Sequence, residues 1–296
     1  MTVFTPAYQR EATMPRLYES LLRNKEVCGC DLFEWVIVND GSTDGTEELV
    51  RRWCDEDRLP IRYFYQENRG KHIATNFAVS VSESEVFLTM DSDDVMLPDA
   101  VVSFYQEWQT IPDKENYKGV VLRCIDDLTG EITGRPLPVS PLDVYTPDLR
   151  FKYHISGENF GFTRTDLMRA FPFPELTSDT RFCPENIVWF EIGKKYLERV
   201  VDRPGRIYFH DTDNALTAKS HNRASANYYW WLYGVNNLLK YFIYDPKQIM
   251  AFLVGISRDG LIIGKKPHQI LNDVRGWYRK CLVLLLMPAG WILSVR

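Results

Sequence analysis

The run Val86-Phe87-Leu88-Thr89-Met90-Asp91-Ser92-Asp93-Asp94 decides how this chain folds and where its chemistry lies. A short apolar run bounded by turn residues reads as a buried strand. The carboxylates follow that strand at once. Acidic groups at i and i+2 on a strand end can share a hard cation, because Mg²⁺ or Mn²⁺ prefers oxygen ligands and bridges carboxylates to phosphates. A solvated turn capping the helix that begins near Pro98 is the plainer reading. The position after a buried strand favours the ligand reading.

Working outward, Glu34–Val38 (EWVIV) repeats the pattern and runs into Asn39-Asp40-Gly41-Ser42-Thr43-Asp44. Gly41 permits a tight turn and close backbone approach. Asp40 can accept hydrogen bonds from a base or a ribose. Thr43 or Asp44 is the expected N-cap of a helix over Thr46–Trp53. Strands are predicted at Thr2–Pro6, Ile61–Tyr65 and Gly119–Cys124, and helices at Pro15–Lys25, His72–Val81 and Asp99–Gln109. Strands alternating with helices imply parallel βαβ units in a doubly wound α/β sheet. Such sheets bind ligands beyond the carboxyl ends of their strands, where both acidic motifs sit.

Two further motifs share that edge. Thr5-Pro6-Ala7-Tyr8 ends the first strand, and Tyr8 can stack on a base or serve as a rim tyrosine. Glu67-Asn68-Arg69-Gly70-Lys71-His72 leads into a helix containing Asn76. Arg69 or Lys71 can meet phosphate at that helix N-terminus, or form a solvated basic loop.

Together, the segments TPAY, VNDGSTD, ENRGKHIATN and MDSDDVMLP resemble the family 2 glycosyltransferases of the GT-A fold. The resemblance covers residues 1–100 closely and 150–215 less closely. It implies a Rossmann-like, mostly parallel sheet flanked by helices. Residues 1–215 would be the catalytic domain, with nucleotide-sugar binding in 1–100 and acceptor binding in 101–215. Residues 216–296 would be a helical C-terminal extension. By this resemblance Tyr8 and Asp40 contact the donor's base and Pro6 lines that pocket. Asp91 meets the ribose side or metal-bound water, with Ser92 beside it. Asp93, with Asp91, ligates Mn²⁺ or Mg²⁺ on the diphosphate, and Lys71 is a basic donor contact. Two departures stand out: Gln9 where the family often has Asn, and Lys71-His72 where small residues are common.

Inverting transfer needs a base to deprotonate the acceptor hydroxyl, while the metal offsets charge on the departing diphosphate. Phe182–Trp189 (FCPENIVW) resembles the family's Glu-containing segment at a helix start near the acceptor, which implies that Glu185 is the base. Pro184 suits helix entry, so Glu185 could instead favour the helix dipole. Glu191 and Asp179 are weaker candidates. Gly157-Glu158-Asn159 borders the acceptor cleft or is a plain loop. His210 reads first as structural, and Arg206 and Arg223 as further diphosphate contacts.

The expected activity is metal-dependent, inverting transfer of a hexose or N-acetylhexosamine from a UDP-sugar to a glycan or lipid-linked glycan, in surface polysaccharide assembly by family analogy. A sugar nucleotidyltransferase would carry an early Gly-rich phosphate loop, and Thr5–Arg10 lacks glycine. A non-catalytic glycan-binding or scaffold subunit is disfavoured by the intact DxDD.

Composition bounds the rest. With 45% hydrophobic and 25% charged residues, the 296-residue chain is globular. Its six cysteines form no CxxC pair and read as inert thiols. No signal segment precedes the first strand pattern, so a cytoplasmic location is expected, and no nucleic-acid partner. The net charge of −5 hides a basic end: residues 216–296 carry 11 Lys/Arg against three Asp. That asymmetry suggests an anionic partner surface. Cys281–Leu293 is apolar but shorter than the roughly 20 residues of a membrane-spanning helix. With Arg275, Arg279 and Lys280 before it and Arg296 after, it fits a peripheral anchor on anionic lipid at the inner face of the cell membrane. Packing on the catalytic domain, or on a second subunit of a homo-oligomer, is the alternative.

Overall fold

The computed structural model describes residues 1–29, 32–175, 182–210 and 220–295, with side chains from residue 224 in the last segment. Strands β1 (Thr2–Ala7), β2 (Glu34–Asp40), β3 (Ile61–Gln66) and β4 (Val86–Thr89) lie in the order β3-β2-β1-β4, all parallel. Their side chains alternate between two cores, as a period of two requires. Val3, Trp35, Ile37 and Leu88 pack against α1 (Met14–Cys28) and α2 (Thr46–Glu56). Phe4, Val36, Val38 and Phe87 pack on the other face, against α3 (Lys71–Val81). Trp53 of α2 stacks on Tyr18 at 4.3 Å and on Trp35 at 5.8 Å. The predicted helix start shifts slightly. Gly45, not Thr43 or Asp44, is the N-cap of α2. Asp44 still contributes, accepting from Thr46 N at 3.2 Å.

Beyond β4 the sheet is mixed. Its remaining strands are β5 (Val95–Met96), β6 (Tyr117–Asp126), β7 (Leu142–Tyr145), β8 (Asn159–Arg164) and β9 (Leu197–Tyr208). The predicted strand Gly119–Cys124 lies within β6, but β6 does not flank β4. Strand β8 inserts between them, antiparallel to both. β9 then pairs parallel with β6, and β5 and β7 pair antiparallel with β9. The expected parallel pairing is thus unbroken only among β1–β4, and beyond them the parallel β6–β9 pair is flanked by antiparallel ones.

Helix α4 (Ala100–Thr110) joins the α1/α2 face, through Phe104 and Trp108. Three short helices follow: α5 (Thr146–Phe151), α6 (Thr165–Ala170) and α7 (Asn186–Gly193). The C-terminal helices are α8 (Ser220–Asn237), α9 (Pro246–Ile262), α10 (Pro267–Asp273) and α11 (Trp277–Ser294). They build their own apolar cluster around Tyr228, Phe252 and Ile256, which also takes in Phe151 of α5 and Phe190 of α7. The predicted apolar stretch Cys281–Leu293 lies inside α11, which continues through Pro288. Among the described residues no helix is long and apolar enough to cross a membrane.

Candidate active site

The edge begins at the end of β2. Gly41 has φ 79°, and a Cβ there would sit 2.8 Å from Asn68 N, so this close approach needs glycine. The approach lets Asp40 bind the 66–70 turn. Its carboxylate accepts from Gln66 Nε2 at 2.7 Å, Arg69 N at 2.9 Å and Gly70 N at 2.8 Å. Asp40 is buried, so these donors offset the desolvation of its charge. The fixed turn delivers Lys71 as the first residue of α3.

At the end of β1, Tyr8 is 44% exposed on the rim, with half-buried Pro6 two residues before it. Gln9, the departure from Asn, has a structural duty. Its Oε1 accepts from Thr43 N at 2.7 Å and Asp44 N at 3.3 Å, holding the loop after β2. Arg10 reaches across to the DxDD, with Nε donating to Ser92 Oγ at 3.0 Å. Its Nη2 stands 3.7 Å from Asp93 Oδ2, too far for a hydrogen bond.

The four acidic-motif residues diverge after β4. Asp91 Oδ1 lies 2.6 Å from Lys71 Nζ, and its Oδ2 lies 3.2 Å from Arg206 Nη1. Burial pushes the Asp91 carboxyl up, but Lys71 and Arg206 outweigh it and hold it at about 2. Asp94 is buried, accepts from Phe209 N at 2.9 Å and pairs with Arg206 Nη1 at 3.2 Å. There burial wins over Arg206, and the carboxyl is pushed up to about 7. Ser92 is buried under Arg10, while Asp93 keeps a partly exposed carboxylate.

Arg206 of β9 is the hub. It is 4% exposed, and its Nη2 also pairs with Glu158 at 3.3 Å. Its Nε donates to Cys124 Sγ at 3.3 Å. The Cys124 thiol, pushed up to about 11 chiefly by burial, stays inert. From sequence, Arg206 reads only as a further diphosphate contact. Its signal was a lone cation in the apolar run that precedes His210.

Glu185 is the N-cap residue of α7 and makes no side-chain cap hydrogen bond. Its Oε1 lies instead 2.7 Å from Lys71 Nζ. Lys71 thus bridges Asp91 and Glu185. Burial pulls the lysine pKa down, and the two carboxylates more than reverse that. A cavity of about 440 Å³ is lined by Lys71, Asp91, Glu158, Glu185, Trp189 and Arg206, among others. Tyr8, Asp40 and Asp93 are not among the residues that line this cavity. Glu191 pairs with Lys194 at 2.6 Å and does not line the cavity. Asp179 and the side chain of Arg223 fall outside the described residues.

Among the described residues, two places suit a divalent cation. Asp93 offers carboxylate oxygens that accept no hydrogen bond among the described residues, the donor chemistry a hard cation prefers. Asp126, Asp127 and His210 bring ligand atoms within 4.8 Å of one another. His210 Nε2 now pairs with Asp126 Oδ2 at 2.8 Å. This group adjoins the DxDD through the Phe209–Asp94 bond.

The sequence model of Glycosyl transferase family 2 matches residues 2–163. An uncharacterized glycosyltransferase of Rickettsia typhi is 32% identical over 252 residues, 83% of this chain and 71% of that protein. Validoxylamine A glucosyltransferase of Streptomyces hygroscopicus subsp. limoneus is 39% identical over 75 residues, 25% of this chain. The matches cover 16% of that enzyme and 13% of a Rickettsia bellii glycosyltransferase, so the chain spans less than a fifth of these two relatives. The structure of S. aureus TarS 1–349 in complex with UDP-GlcNAc superposes with a TM-score of 0.64 at 19% identity, covering 99% of this chain and 88% of that one. That likeness establishes the fold.

Proposed function

The chain belongs to glycosyl transferase family 2, and from that premise we propose that it transfers a hexose or N-acetylhexosamine from a UDP-sugar, with inversion, to a glycan or lipid-linked glycan acceptor. The observation that carries this reading is Lys71 set between Asp91 and Glu185, 2.6 Å from one and 2.7 Å from the other. A candidate base and the end of the donor motif thus meet at one cavity. The S. aureus TarS 1–349 structure, of the same fold, is a complex with UDP-GlcNAc, which supports a UDP-sugar here.

In this reading Tyr8 and Pro6 form the base end of the donor site, and Asp40 shapes it through the 66–70 turn. Asp93 holds Mn²⁺ or Mg²⁺, with Asp126, Asp127 and His210 the other described group able to take part. The cation, when bound, offsets diphosphate charge. Glu185 takes the acceptor proton as the hydroxyl oxygen bonds to the anomeric carbon. The bond from that carbon to the diphosphate oxygen breaks, and its electron pair leaves with the nucleotide. Lys71 and Arg206 supply fixed positive charge where negative charge accumulates. Thermal stabilisation by UDP with and without Mn²⁺ tests the donor site, since a ligand of the folded state raises the melting temperature. A Mn²⁺-dependent shift that Asp93→Ala abolishes supports it. No shift with any nucleoside diphosphate moves the weight to a non-catalytic scaffold.

We also propose that α11 lies on an anionic lipid surface, where a lipid-linked acceptor would be met. Val283, Met287 and Gly290 are its buried residues. Leu284, Leu285, Trp291 and Ile292 are exposed, Leu285 by 75%. No charge occurs between Cys281 and Val295, while Arg275, Arg279 and Lys280 stand at its start. An apolar face beside cations fits an interfacial helix. Sedimentation with phosphatidylglycerol vesicles, lost in Leu284→Glu/Leu285→Glu, is the expected result. Concentration-dependent dimerisation without vesicle binding assigns the face to a second copy instead.

A further inference from the structure

The cavity does not stop at Glu185. It continues between the sheet and the helices above it, bounded below by β4, β8, β6 and β9 and above by α5 and α7. Among the groups lining it is a charged pair that the transfer chemistry does not use. Lys118 Nζ and Glu198 Oε2 lie 2.7 Å apart, with side chains only 6% and 4% exposed. Glu198 Oε1 has no hydrogen-bond partner among the described residues, and the same is true of two more lining atoms, Thr89 Oγ1 and Thr146 Oγ1.

Such an arrangement is unfavourable unless something completes it. A buried acceptor without a donor costs about 1–3 kcal/mol. A buried ion pair offsets its desolvation only when its remaining lone pairs and protons are also used. Glu198, Thr89 and Thr146, the residues that carry these three buried atoms, all line the one cavity. The pair is neutral overall, so it does not select a charged ligand. It presents an ammonium donor beside a carboxylate acceptor, which matches a hydroxyl group that both donates and accepts. Trp189 and Phe190 add aromatic surface to the lining. Apolar walls with a few convergent polar groups, in a space of about 440 Å³, describe a small-ligand site.

We propose that the inner arm of this cavity is a subsite for an uncharged sugar ring, whose hydroxyl or hydroxymethyl group is read by Lys118 and Glu198. The proposal rests on the glycosyltransferase reading and adds specificity-determining residues to it. The ring belongs to the donor or to the acceptor, and the chemistry of recognition is the same for both.

Calorimetric titration separates these sources. In the donor arm, UDP is compared with UDP-glucose, UDP-galactose and UDP-GlcNAc. In the acceptor arm, free glucose, galactose and N-acetylglucosamine are titrated into the protein alone and into its UDP complex. The variants are Glu198→Gln, which keeps the side-chain shape, and Lys118→Met/Glu198→Leu, which removes both charges. Melting curves confirm folding, and Glu198→Gln alone carries the test if the double variant fails to fold. The expected result is a preference among sugars in one arm that falls at least tenfold in the variants, while affinity for UDP itself is unchanged. A site that hydrogen-bonds a substrate hydroxyl discriminates in this way. Sugar binding that weakens in the variants when UDP binds neither form overturns the donor reading and supports the subsite. Sugar preferences that the variants leave intact, or no sugar recognition in either arm, overturn the subsite and leave the cavity to water.

Discussion

Lys71 Nζ and Glu185 Oε1 meet at 2.7 Å, although one residue opens α3 and the other caps α7. The contact joins the donor-side turn that Asp40 fixes to the helix start that bears the candidate base. Substituting Glu185 by Gln keeps the side-chain shape and removes the base. Turnover of a cognate UDP-sugar is expected to fall by about 10²–10⁴-fold, with the UDP-induced melting shift unchanged. Turnover within tenfold of the parent would place the base elsewhere. Lys71→Met should lower both turnover and the UDP shift, because it removes charge from both sides of the cavity.

Arg206 holds Asp91, Asp94 and Glu158 from a nearly buried position. Arg206→Met leaves the Asp94 carboxylate buried without its cation. Breaking a buried pair from one side costs about 3–5 kcal/mol; urea denaturation should read a smaller loss at pH 7, where Asp94, pushed up to about 7, is already about half protonated, and a larger one near pH 9. Arg206→Lys should cost less, because a cation remains while the fork of donors is lost. Equal stabilities of the parent and the Met variant would show that Arg206 does not hold this network together.

Gly41 combines a left-handed φ of 79° with a contact that a Cβ would make at 2.8 Å to Asn68 N. Gly41→Ala is expected to destabilise by about 1–3 kcal/mol from backbone strain, with the clash added. It should also weaken UDP binding by pushing the turn away from Asp40. Amide exchange at Arg69 and Gly70, whose N–H groups Asp40 accepts, should quicken. Unchanged exchange there would separate Gly41 from the turn.

His210 is raised above its ordinary value, first by its hydrogen bond to Asp126. The folded pKa being the higher one, this interaction is fully present below about 6.5. It is lost as pH rises through the raised value. A ¹H–¹⁵N titration of the imidazole should show a midpoint above that of a free histidine, and Asp126→Asn should bring it down. An unmoved midpoint in the variant would remove Asp126 as the cause.

The first four strands were legible because their signals are local. Unbroken apolar runs marked β2 and β4, and turn chemistry marked their ends. The rest was hidden for identifiable reasons. β8 sits between β4 and β6 by pairing antiparallel with both, and no local pattern encodes that neighbour. β9 is not legible locally, because the exposed Asp202-Arg203 and Pro204 interrupt its apolar alternation. Arg206 therefore reads from sequence only as a further diphosphate contact, without its partners. α11 kept its helix through Pro288, which a residue-by-residue reading treats as a break.

By itself the sequence determined the parallel half-sheet and which residue types stand at its carboxyl edge: Tyr8, Asp40, Lys71, Asp91 and Asp93. Backbone propensity and hydrophobic period act over a few residues, so they can be read in a few residues. Tertiary structure alone decided which charges meet. Lys71 with Glu185, Arg206 with Asp91 and Asp94, and Lys118 with Glu198 are pairs between segments far apart in the chain. Coulombic and hydrogen-bond energies fall away over ångströms, so these pairs exist only once β8, β9 and α7 have packed.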